Sequence, residues 1–160
     1  MIGNQGQLFI IEPPKIQDQE TTLNVILENA LFQDNTAGLA LIYASHYTNM
    51  SISNSTFLDN FSTGRGSIVY SENTNSNVQI RNSAFDGNYA YLGGVFFSQL
   101  DGLVGCTNCT ITNNFAVYGG VLYSQNEGQG LFMNCNFSNN NALEASVVYS
   151  INSDSQIYVL

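Results

Sequence analysis

A frame of 25 to 28 residues recurs five times in this chain, and this repeat restricts the possible folds more than any other feature. Each copy begins with an asparagine, a second asparagine follows six residues later, and a large apolar residue lies midway between them. These three columns are Asn29, Asn54, Asn82, Asn108 and Asn134; Asn35, Asn60, Asn88, Asn114 and Asn140; and Phe32, Phe57, Phe85, Ile111 and Phe137. Agreement of several columns over five copies predicts a repeat protein.

Each copy ends with a pair of mostly small residues, followed by two apolar residues and an aromatic one. The pairs are Leu39-Ala40, Gly66-Ser67, Gly93-Gly94, Gly119-Gly120 and Ala145-Ser146, and the aromatic residues are Tyr43, Tyr70, Phe97, Tyr123 and Tyr149. Glycine pairs and corner asparagines are poor helix formers, so they disfavour a helical solenoid of similar period.

The residues before the first asparagine alternate with period two, which is typical of a strand with one face in a core. The inward positions are Val25, Met50, Val78, Val104 and Gly130, and then Leu27, Ile52, Ile80, Cys106 and Phe132. With the apolar midpoint and the Gly-Gly segment, this gives three parallel strands per copy. We therefore predict an all-β, right-handed parallel β-helix with about five complete three-strand coils and partial coils at the ends.

The columns also predict what holds the coils together. We expect the first asparagines, Asn29 to Asn134, to point inward at a corner and to bond to one another through their side-chain amides. The second asparagine is expected to lead into a loop of variable length. Phe32, Phe57, Phe85 and Phe137 are expected to stack, and the small pairs to allow tight turns.

The repeat divides the chain into a cap, residues 1–22, and the coils, residues 23–160. Within the cap, residues 8–11 are expected to form a strand against the first coil, Pro13-Pro14 to end it, and residues 15–22 to form a loop. Ile157 and Val159 are spaced to begin a sixth coil. Because the chain starts without a signal-peptide pattern and stops in mid-strand, we expect it to be an excerpt of a longer protein.

The tetrad Phe-x-x-Asn, followed by Gly-Gly-apolar, resembles the repeat of the chlamydial polymorphic outer membrane proteins and of other large β-helical surface proteins. The tetrads begin at Phe32, Phe57, Phe85 and Phe137, with Ile111 replacing Phe in one copy, and the full triads are Gly93-Gly94-Val95 and Gly119-Gly120-Val121. The resemblance implies the β-helical fold and a surface module used in adhesion or as a spacer, and hence an extracellular or cell-surface location.

The charge balance excludes some partners. Three basic residues face twelve acidic ones, for a net charge of −9, so the chain lacks the cation cluster that nucleic acids require. An anionic membrane surface is disfavoured for the same reason. No apolar run reaches the ~18 residues of a membrane span. We therefore expect no nucleic acid and no direct membrane insertion.

A polysaccharide lyase or hydrolase is the enzymatic alternative, because such reactions use clustered carboxylates on one face. The charged residues on the outer face of the first strands are only Glu28 and Arg81, which are two coils apart. We expect no carboxylate on the strands that follow the small pairs. Asp34, Asp59 and Asp86 are a candidate row for a weakly bound calcium ion, although exposed loop carboxylates are the preferred interpretation. We predict no catalytic residue and no cofactor.

Three cysteines and one histidine complete the reactive side chains. Cys106 and Cys109 form a CxxC, and Cys135 lies in the column of Cys109. Zinc needs four ligands, and His46 is expected to be a solvated loop residue. Cys106 is expected to point inward and Cys109 to lie beyond the corner, which separates the two thiols. A disulfide between Cys109 and Cys135 stays open, with free packed thiols preferred.

Acceptor sequences for N-glycosylation occur at five asparagines, Asn49, Asn54, Asn60, Asn108 and Asn136. Asn54 and Asn108 are expected to be buried in the ladder. Asn49 is expected in a loop and is therefore the preferred site in a secreted protein.

These observations favour a non-catalytic structural or adhesive module of a larger surface protein, with a protein or a glycan as its partner. A carbohydrate-binding or carbohydrate-cleaving domain is the first alternative. The second is an internal component of a large assembly, with exposed Leu131 and Met133 as contact residues. Open strand edges at both ends predict end-to-end association or contact with flanking segments of the same chain.

Overall fold

The structure, a computed structural model, describes residues 1–6, 8–11, 21–152 and 154–160. These residues form 22 short strands and no helix, and the strands stack into four parallel sheets. The prediction of an all-β parallel solenoid of about five coils is confirmed. The predicted number of strands per coil is wrong, because each coil has four strands rather than three.

We number the strands in chain order and the sheets by their position in a coil. The first sheet contains β2 (Leu23–Glu28), β6 (Thr48–Ser53), β10 (Asn77–Arg81), β14 (Leu103–Thr107), β18 (Gln129–Met133) and β22 (Gln156–Val159). The second contains β3 (Leu31–Gln33), β7 (Thr56–Leu58), β11 (Ala84–Asp86), β15 (Thr110–Thr112) and β19 (Asn136–Ser138).

The third sheet contains β4 (Thr36–Ala37), β8 (Phe61–Ser62), β12 (Tyr89–Leu92), β16 (Phe115–Tyr118) and β20 (Asn141–Glu144). The fourth contains β1 (Phe9–Ile11), β5 (Ile42–Ala44), β9 (Val69–Glu72), β13 (Phe96–Gln99), β17 (Leu122–Gln125) and β21 (Val148–Ile151). The third sheet lies where the sequence predicted a loop. Its strands have two to four residues, too few to show a clear alternation.

Every coil lies in register with the next, so that equivalent residues are vertical neighbours. Val78, for example, pairs with Met50 on one side and with Val104 on the other. All three side chains are buried, as the alternation predicted, and the core runs through the interior of the solenoid.

The first asparagine of each repeat occupies a corner in the left-handed backbone region, with φ between 49° and 54° at Asn29, Asn54, Asn82, Asn108 and Asn134. Their positions stack as expected, and Nδ2 of Asn108 donates to Oδ1 of Asn82 at 3.4 Å. All five side chains are exposed, however, so their predicted burial in a ladder is wrong. Asparagine tolerates this conformation better than most residues, which explains the column. The left-handed residue interrupts the alternation, and the residue after it points inward instead.

The second asparagines form the buried ladder. Asn35, Asn60, Asn88 and Asn114 each donate from the side-chain Nδ2 to the Oδ1 of the next member, at 2.9 to 3.0 Å, and the last acceptor is Asn140. The same Oδ1 also accepts the backbone N–H of the preceding member. The other Nδ2 hydrogen of Asn88 bonds to the Phe57 carbonyl at 3.0 Å. These buried amides are therefore satisfied from within the solenoid.

The phenylalanine column lies in the core beside this ladder. Phe32 and Phe57 stack with ring centroids 5.0 Å apart, and Phe57 and Phe85 with centroids 4.9 Å apart. All three side chains are at most 1% exposed, whereas Phe137, nearer the C-terminal end, is half-buried. Burial of these rings is a large apolar contribution to stability.

The small pairs form the turn into the fourth sheet. Gly93 has φ +66°, and a Cβ there would overlap the carbonyl oxygen of Phe96. Gly119 has the same conformation, with φ +64°. Glycine is required here by both backbone conformation and space.

Residues 1–6 and 8–11 add a partial coil before the first complete one. The strand β1 pairs with β5, in the place where residues 8–11 were expected to form a strand. Ile2 bridges Gln33, and Asn4 donates to the Oδ1 of Asn35, so Asn4 extends the ladder by one member. This extension was not predicted from the sequence. Pro13-Pro14 and most of the expected 15–22 loop lie outside the described residues.

The C-terminal residues begin a sixth coil in the first sheet. The strand β22 pairs with β18, and Ile157 and Val159 lie opposite Gly130 and Phe132. The register therefore agrees with the spacing read from the sequence.

Candidate ligand-binding surfaces

The predicted acidic row lies at the second corner of the coil. Asp34 and Asp59 stack there in the left-handed region, with φ of 55° and 51°, and both are exposed. The same column continues with Gly87, Asn113 and Asn139, all at positive φ. The aspartates thus belong to a series of residues that tolerate this backbone.

Asp86 lies one position before this column, as the sequence indicated, and its carboxylate accepts a hydrogen bond from Asn113 Nδ2 at 2.7 Å. Among the described residues, no group of three or more His, Cys, Asp or Glu side chains is arranged to hold a metal ion. The calcium hypothesis gains no further support from this corner.

Glu28 and Arg81 lie two coils apart on the first sheet, with Ser53 between them in the register. The Ser53 hydroxyl donates to the Glu28 carboxylate at 3.4 Å. His46 is exposed between β5 and β6. Leu131 and Met133, the expected contact residues of an assembly component, are half-buried.

The three thiols lie in the interior near the C-terminal end and are free. Cys109 follows the corner, as expected, but it is 2% exposed, because the left-handed Asn108 turns this side chain inward. It occupies the column of Ser55 and Ser83, whose hydroxyls accept backbone N–H groups of the preceding coil.

The pKa of Cys109 is raised to about 11, first by its hydrogen bond with Cys106 and also by burial, against a lowering by Cys135. The pKa of Cys135 is raised as well, first by its hydrogen bond with Cys109 and then by burial. The CxxC thiols are thus neighbours, contrary to the expectation. Neutral thiols of this kind are poor nucleophiles.

The exposed and buried glycosylation acceptors differ from those predicted. Asn54 and Asn108 are exposed at the first corner, and Asn136 is exposed on β19. Asn49 is exposed on the strand β6 rather than in a loop. Asn60 is 1% exposed, because it belongs to the buried ladder.

A polar cluster on the outer side of the fourth sheet was not predicted. The carboxylate of Glu72 accepts hydrogen bonds from Tyr43, from the Tyr70 hydroxyl at 2.6 Å and from Gln99 Nε2 at 2.6 Å. The guanidinium of Arg65 lies 5.1 Å from the ring centroid of Phe97 and donates to the Tyr70 hydroxyl at 3.2 Å. The expectation that these strands contain no carboxylate is therefore wrong.

Two opposing effects set the pKa of Glu72. Burial by itself raises this pKa, but the hydrogen bonds from Tyr43, Tyr70 and Gln99, with the charge of Arg65, outweigh burial and hold it below its usual value. The pKa of Tyr70 is raised, first by burial and then by its hydrogen bond to the carboxylate. The sequence signal was the polar column Glu72, Gln99 and Gln125, two residues after the aromatic column.

Aromatic side chains also form a stack on the outside of the third sheet. Phe61 and Tyr89 stack with centroids 5.1 Å apart, and Tyr89 and Phe115 with centroids 5.5 Å apart. Phe61 is 40% exposed and Phe115 is 37% exposed. Because the rings cover one another's faces, the surface of this stack consists mainly of ring edges.

A polar cavity of about 320 Å³ lies at the turn that leads into the first sheet. Its lining has no charged side chain and contains amides, a hydroxyl and one phenol: Thr22, Tyr47, Asn49, Asn75 and Asn77. Asn49 and Asn77 are neighbours in the register of β6 and β10, and Tyr47 and Asn75 have left-handed backbones. The stacking of coils thus places amide groups from successive turns around one hollow.

None of the described residues forms a helix long and apolar enough to cross a membrane. No family model, no curated protein and no solved structure matches this chain.

Proposed function

We propose that this chain is a non-catalytic β-solenoid module of a larger extracellular or cell-surface protein, in which it acts as a spacer and as an adhesive surface. The supporting observation is the asparagine ladder, which continues from Asn4 to Asn140. The residues that recur most regularly make their hydrogen bonds to equivalent residues of neighbouring coils. Such columns are the stabilising element of a solenoid, in which each repeat contacts only its neighbours.

The resemblance to the polymorphic outer membrane proteins supports the surface part of this proposal. In this chain the Phe of the tetrad lies in the core, its Asn lies in the ladder, and Gly93 of the triad forms a turn. Each motif thus has a structural role, which fits a module whose sides are free to vary and to contact partners.

Binding and turnover assays separate the module from the enzymatic alternative. Beads coated with the chain should adhere to surfaces bearing glycoproteins or glycans more strongly than beads coated with an unrelated solenoid. The same chain should release no reducing or unsaturated ends from acidic polysaccharides. Turnover of any of these polymers, or adhesion no greater than that of the control beads, would contradict the proposal.

A second candidate function is the binding of a neutral glycan in the polar cavity. Amide groups donate to and accept from sugar hydroxyls, and an aromatic ring contacts the apolar face of a sugar. The lining by Tyr47, Asn49 and Asn75 offers these groups without a charged side chain.

A pair of variants tests this candidate on an array of neutral oligosaccharides. Asn75→Gly removes a lining amide and retains the turn, because glycine adopts the φ of 60° found there. Asp101→Gly is the matched control, an exposed turn residue with φ 65° that does not line the cavity. Binding should fall for Asn75→Gly alone. Equal binding by both variants would assign the glycan to another surface.

A further inference from the structure

The acceptor sequences for N-glycosylation differ in burial at both of the residues that define them. An acceptor is Asn-x-Ser/Thr, in which the asparagine receives the sugar and the hydroxyl residue follows two positions later. At one acceptor both residues are buried, since Asn60 is 1% exposed and Ser62 is 0% exposed. At the others both residues are exposed: Asn49 with Ser51, Asn54 with Thr56, Asn108 with Thr110, and Asn136 with Ser138.

The exposed acceptors all lie on two adjoining sheets and the corner that joins them. Asn49 is on β6 of the first sheet, and Asn136 begins β19 of the second sheet. Asn54 and Asn108 occupy the first corner, between these two sheets. Within the described part of the chain, no exposed acceptor lies on the third or the fourth sheet.

We infer that Asn49, Asn54, Asn108 and Asn136 carry N-linked glycans. Carbohydrate then covers the first two sheets, and the aromatic stack of the third sheet remains open to a protein or glycan partner. This inference rests on the proposed extracellular function, because the glycan is added during secretion.

The transfer needs a donor, which is an oligosaccharide linked to a lipid diphosphate. The Nδ2 atom of asparagine forms a bond to C1 of the first sugar. The bond between C1 and the diphosphate oxygen breaks, one Nδ2 proton is released, and the lipid diphosphate leaves. The amide keeps one of its two Nδ2 hydrogens.

The hydrogen bonds of Asn60 explain why this acceptor is excluded. Its Nδ2 donates to the Oδ1 of Asn88 at 3.0 Å and to the carbonyl oxygen of Phe32 at 3.0 Å. Both hydrogens are thus in use inside the ladder, and a glycan would remove one of them. The sugar would also lie within the buried interior. A chain modified at Asn60 therefore cannot close its ladder.

The corner asparagines can lose a hydrogen without loss of their structural role. Asn54 and Asn108 form the corner through their left-handed backbones, with φ of 49° and 54°. Within the described part of the chain, Asn108 donates one Nδ2 hydrogen, to the Oδ1 of Asn82 at 3.4 Å. The two acceptors are two coils apart, or about 10 Å along the rod. Their glycans are therefore not attached to adjacent coils.

Secretion of the full chain from a eukaryotic cell line, directed by an added signal peptide, tests the inference. Peptide-N-glycosidase in heavy-oxygen water converts each glycosylated asparagine into a labelled aspartate, and peptide mass spectrometry locates the label. In the folded, secreted protein we expect label at all four exposed acceptors and none at Asn60. Label at Asn60, or unlabelled Asn54 and Asn108, would overturn the inference.

A new acceptor at the same corner tests whether exposure selects the site. Ala84→Thr completes an acceptor sequence at the exposed Asn82, and threonine fits this position because Ala84 pairs with Thr56 and Thr110 in the register. Thr56→Ala and Thr110→Ala in the same chain remove the acceptors on the adjacent coils. The triple variant should carry a glycan at Asn82.

Ala90→Ser is the matched control, because it completes an acceptor sequence at the buried Asn88. Serine fits this position, since Ser62 occupies the same column in the preceding coil. The secreted variant should carry no glycan at Asn88. A glycan at Asn88, or none at Asn82 in the triple variant, would show that burial does not select the acceptors and would overturn the inference. The readout is the mass of a peptide, so its failure is distinct from a failure of coated beads to adhere.

Discussion

The side-chain oxygen of Asn114 lies 3.0 Å from Nδ2 of Asn88 and 2.9 Å from the backbone nitrogen of the same residue. One acceptor thus satisfies two buried donors, and both side chains are fully buried. A buried donor without a partner costs about 1–3 kcal/mol. This relationship recurs from coil to coil and makes the second asparagine hard to replace.

We expect Asn114→Leu to lower the free energy of unfolding by about 3 kcal/mol, because two donors of Asn88 lose their acceptor. For a chain of this size the melting temperature should fall by about 6–12 °C. Thermal unfolding followed by circular dichroism measures the change. Asn108→Gly is the control: Asn108 is exposed with φ 54°, so its replacement should alter stability by about 0.5 kcal/mol or less. A larger loss of stability for Asn108→Gly would indicate that the first column of asparagines, rather than the second, is the stabilising ladder.

Gly93→Ala should destabilise the protein by at least about 2 kcal/mol, since φ is +66° and the added Cβ overlaps the Phe96 carbonyl. The reverse change is available in the last coil, where Ala145 holds φ 56° at an exposed turn. Ala145→Gly should relieve this strain and stabilise by about 0.5–1 kcal/mol, after the greater chain entropy of glycine is subtracted. Denaturant titration of both variants measures the change in the free energy of unfolding. Changes of the same sign in the two variants would contradict the turn geometry.

The contribution of Glu72 should depend on pH. Its pKa is held below the usual 4.5, so its ionised form stabilises the folded protein above that pH, and the stabilisation is lost as the pH falls through the lower folded value. The difference in melting temperature between wild type and Glu72→Gln should therefore be largest near neutrality and shrink below pH 4.5. Glu28→Gln is the control, on the first sheet and away from this cluster. A difference that grew in acid would show that the carboxylate is neutral in the folded state.

The thiols should react slowly in the folded protein. With its pKa raised to about 11, Cys109 is thiolate in roughly one molecule in a thousand at pH 8. A thiol reagent should label three groups in denaturant and label Cys106 and Cys109 far more slowly in native buffer. Fewer than three groups in the unfolded, unreduced protein would reveal a disulfide.

The repeat frame identified the fold because equivalent residues occupy equivalent places in every coil. The alternation at Val78 and Ile80 predicted their inward direction, and the tetrads predicted the stacked Phe57 and Phe85. These inferences depend only on the period of the strand and on the spacing of the repeat.

The same alternation misassigned the asparagines. Continued past Leu27, period two points Asn29 inward, but its left-handed backbone breaks the period, and Ala30 packs against the core instead. The same happens at Asp34, so that Asn35 becomes the inward residue. Because both columns consist of asparagine, the residue type alone does not distinguish a turn residue from a buried hydrogen-bonding residue. Asparagine suits both roles.

The outer surfaces could not be predicted from the columns. Glu72 and Arg65 occur once each in their columns, and both contact the hydroxyl group of Tyr70, which donates to Glu72 and accepts from Arg65. The cavity beside Tyr47 likewise combines residues of three successive coils, which lie far apart in sequence. Features that occur in a single coil leave no repeated signal.

The amides of the ladder all point the same way along the rod. A coil with its ladder amide reversed would place two side-chain oxygens opposite each other. Removal of a whole coil would instead bring the asparagines of the two adjacent coils together as donor and acceptor. Duplication or loss of a whole repeat is therefore the change that this molecule accommodates most readily. The number of repeats can therefore vary during evolution, whereas the direction of the ladder amides cannot.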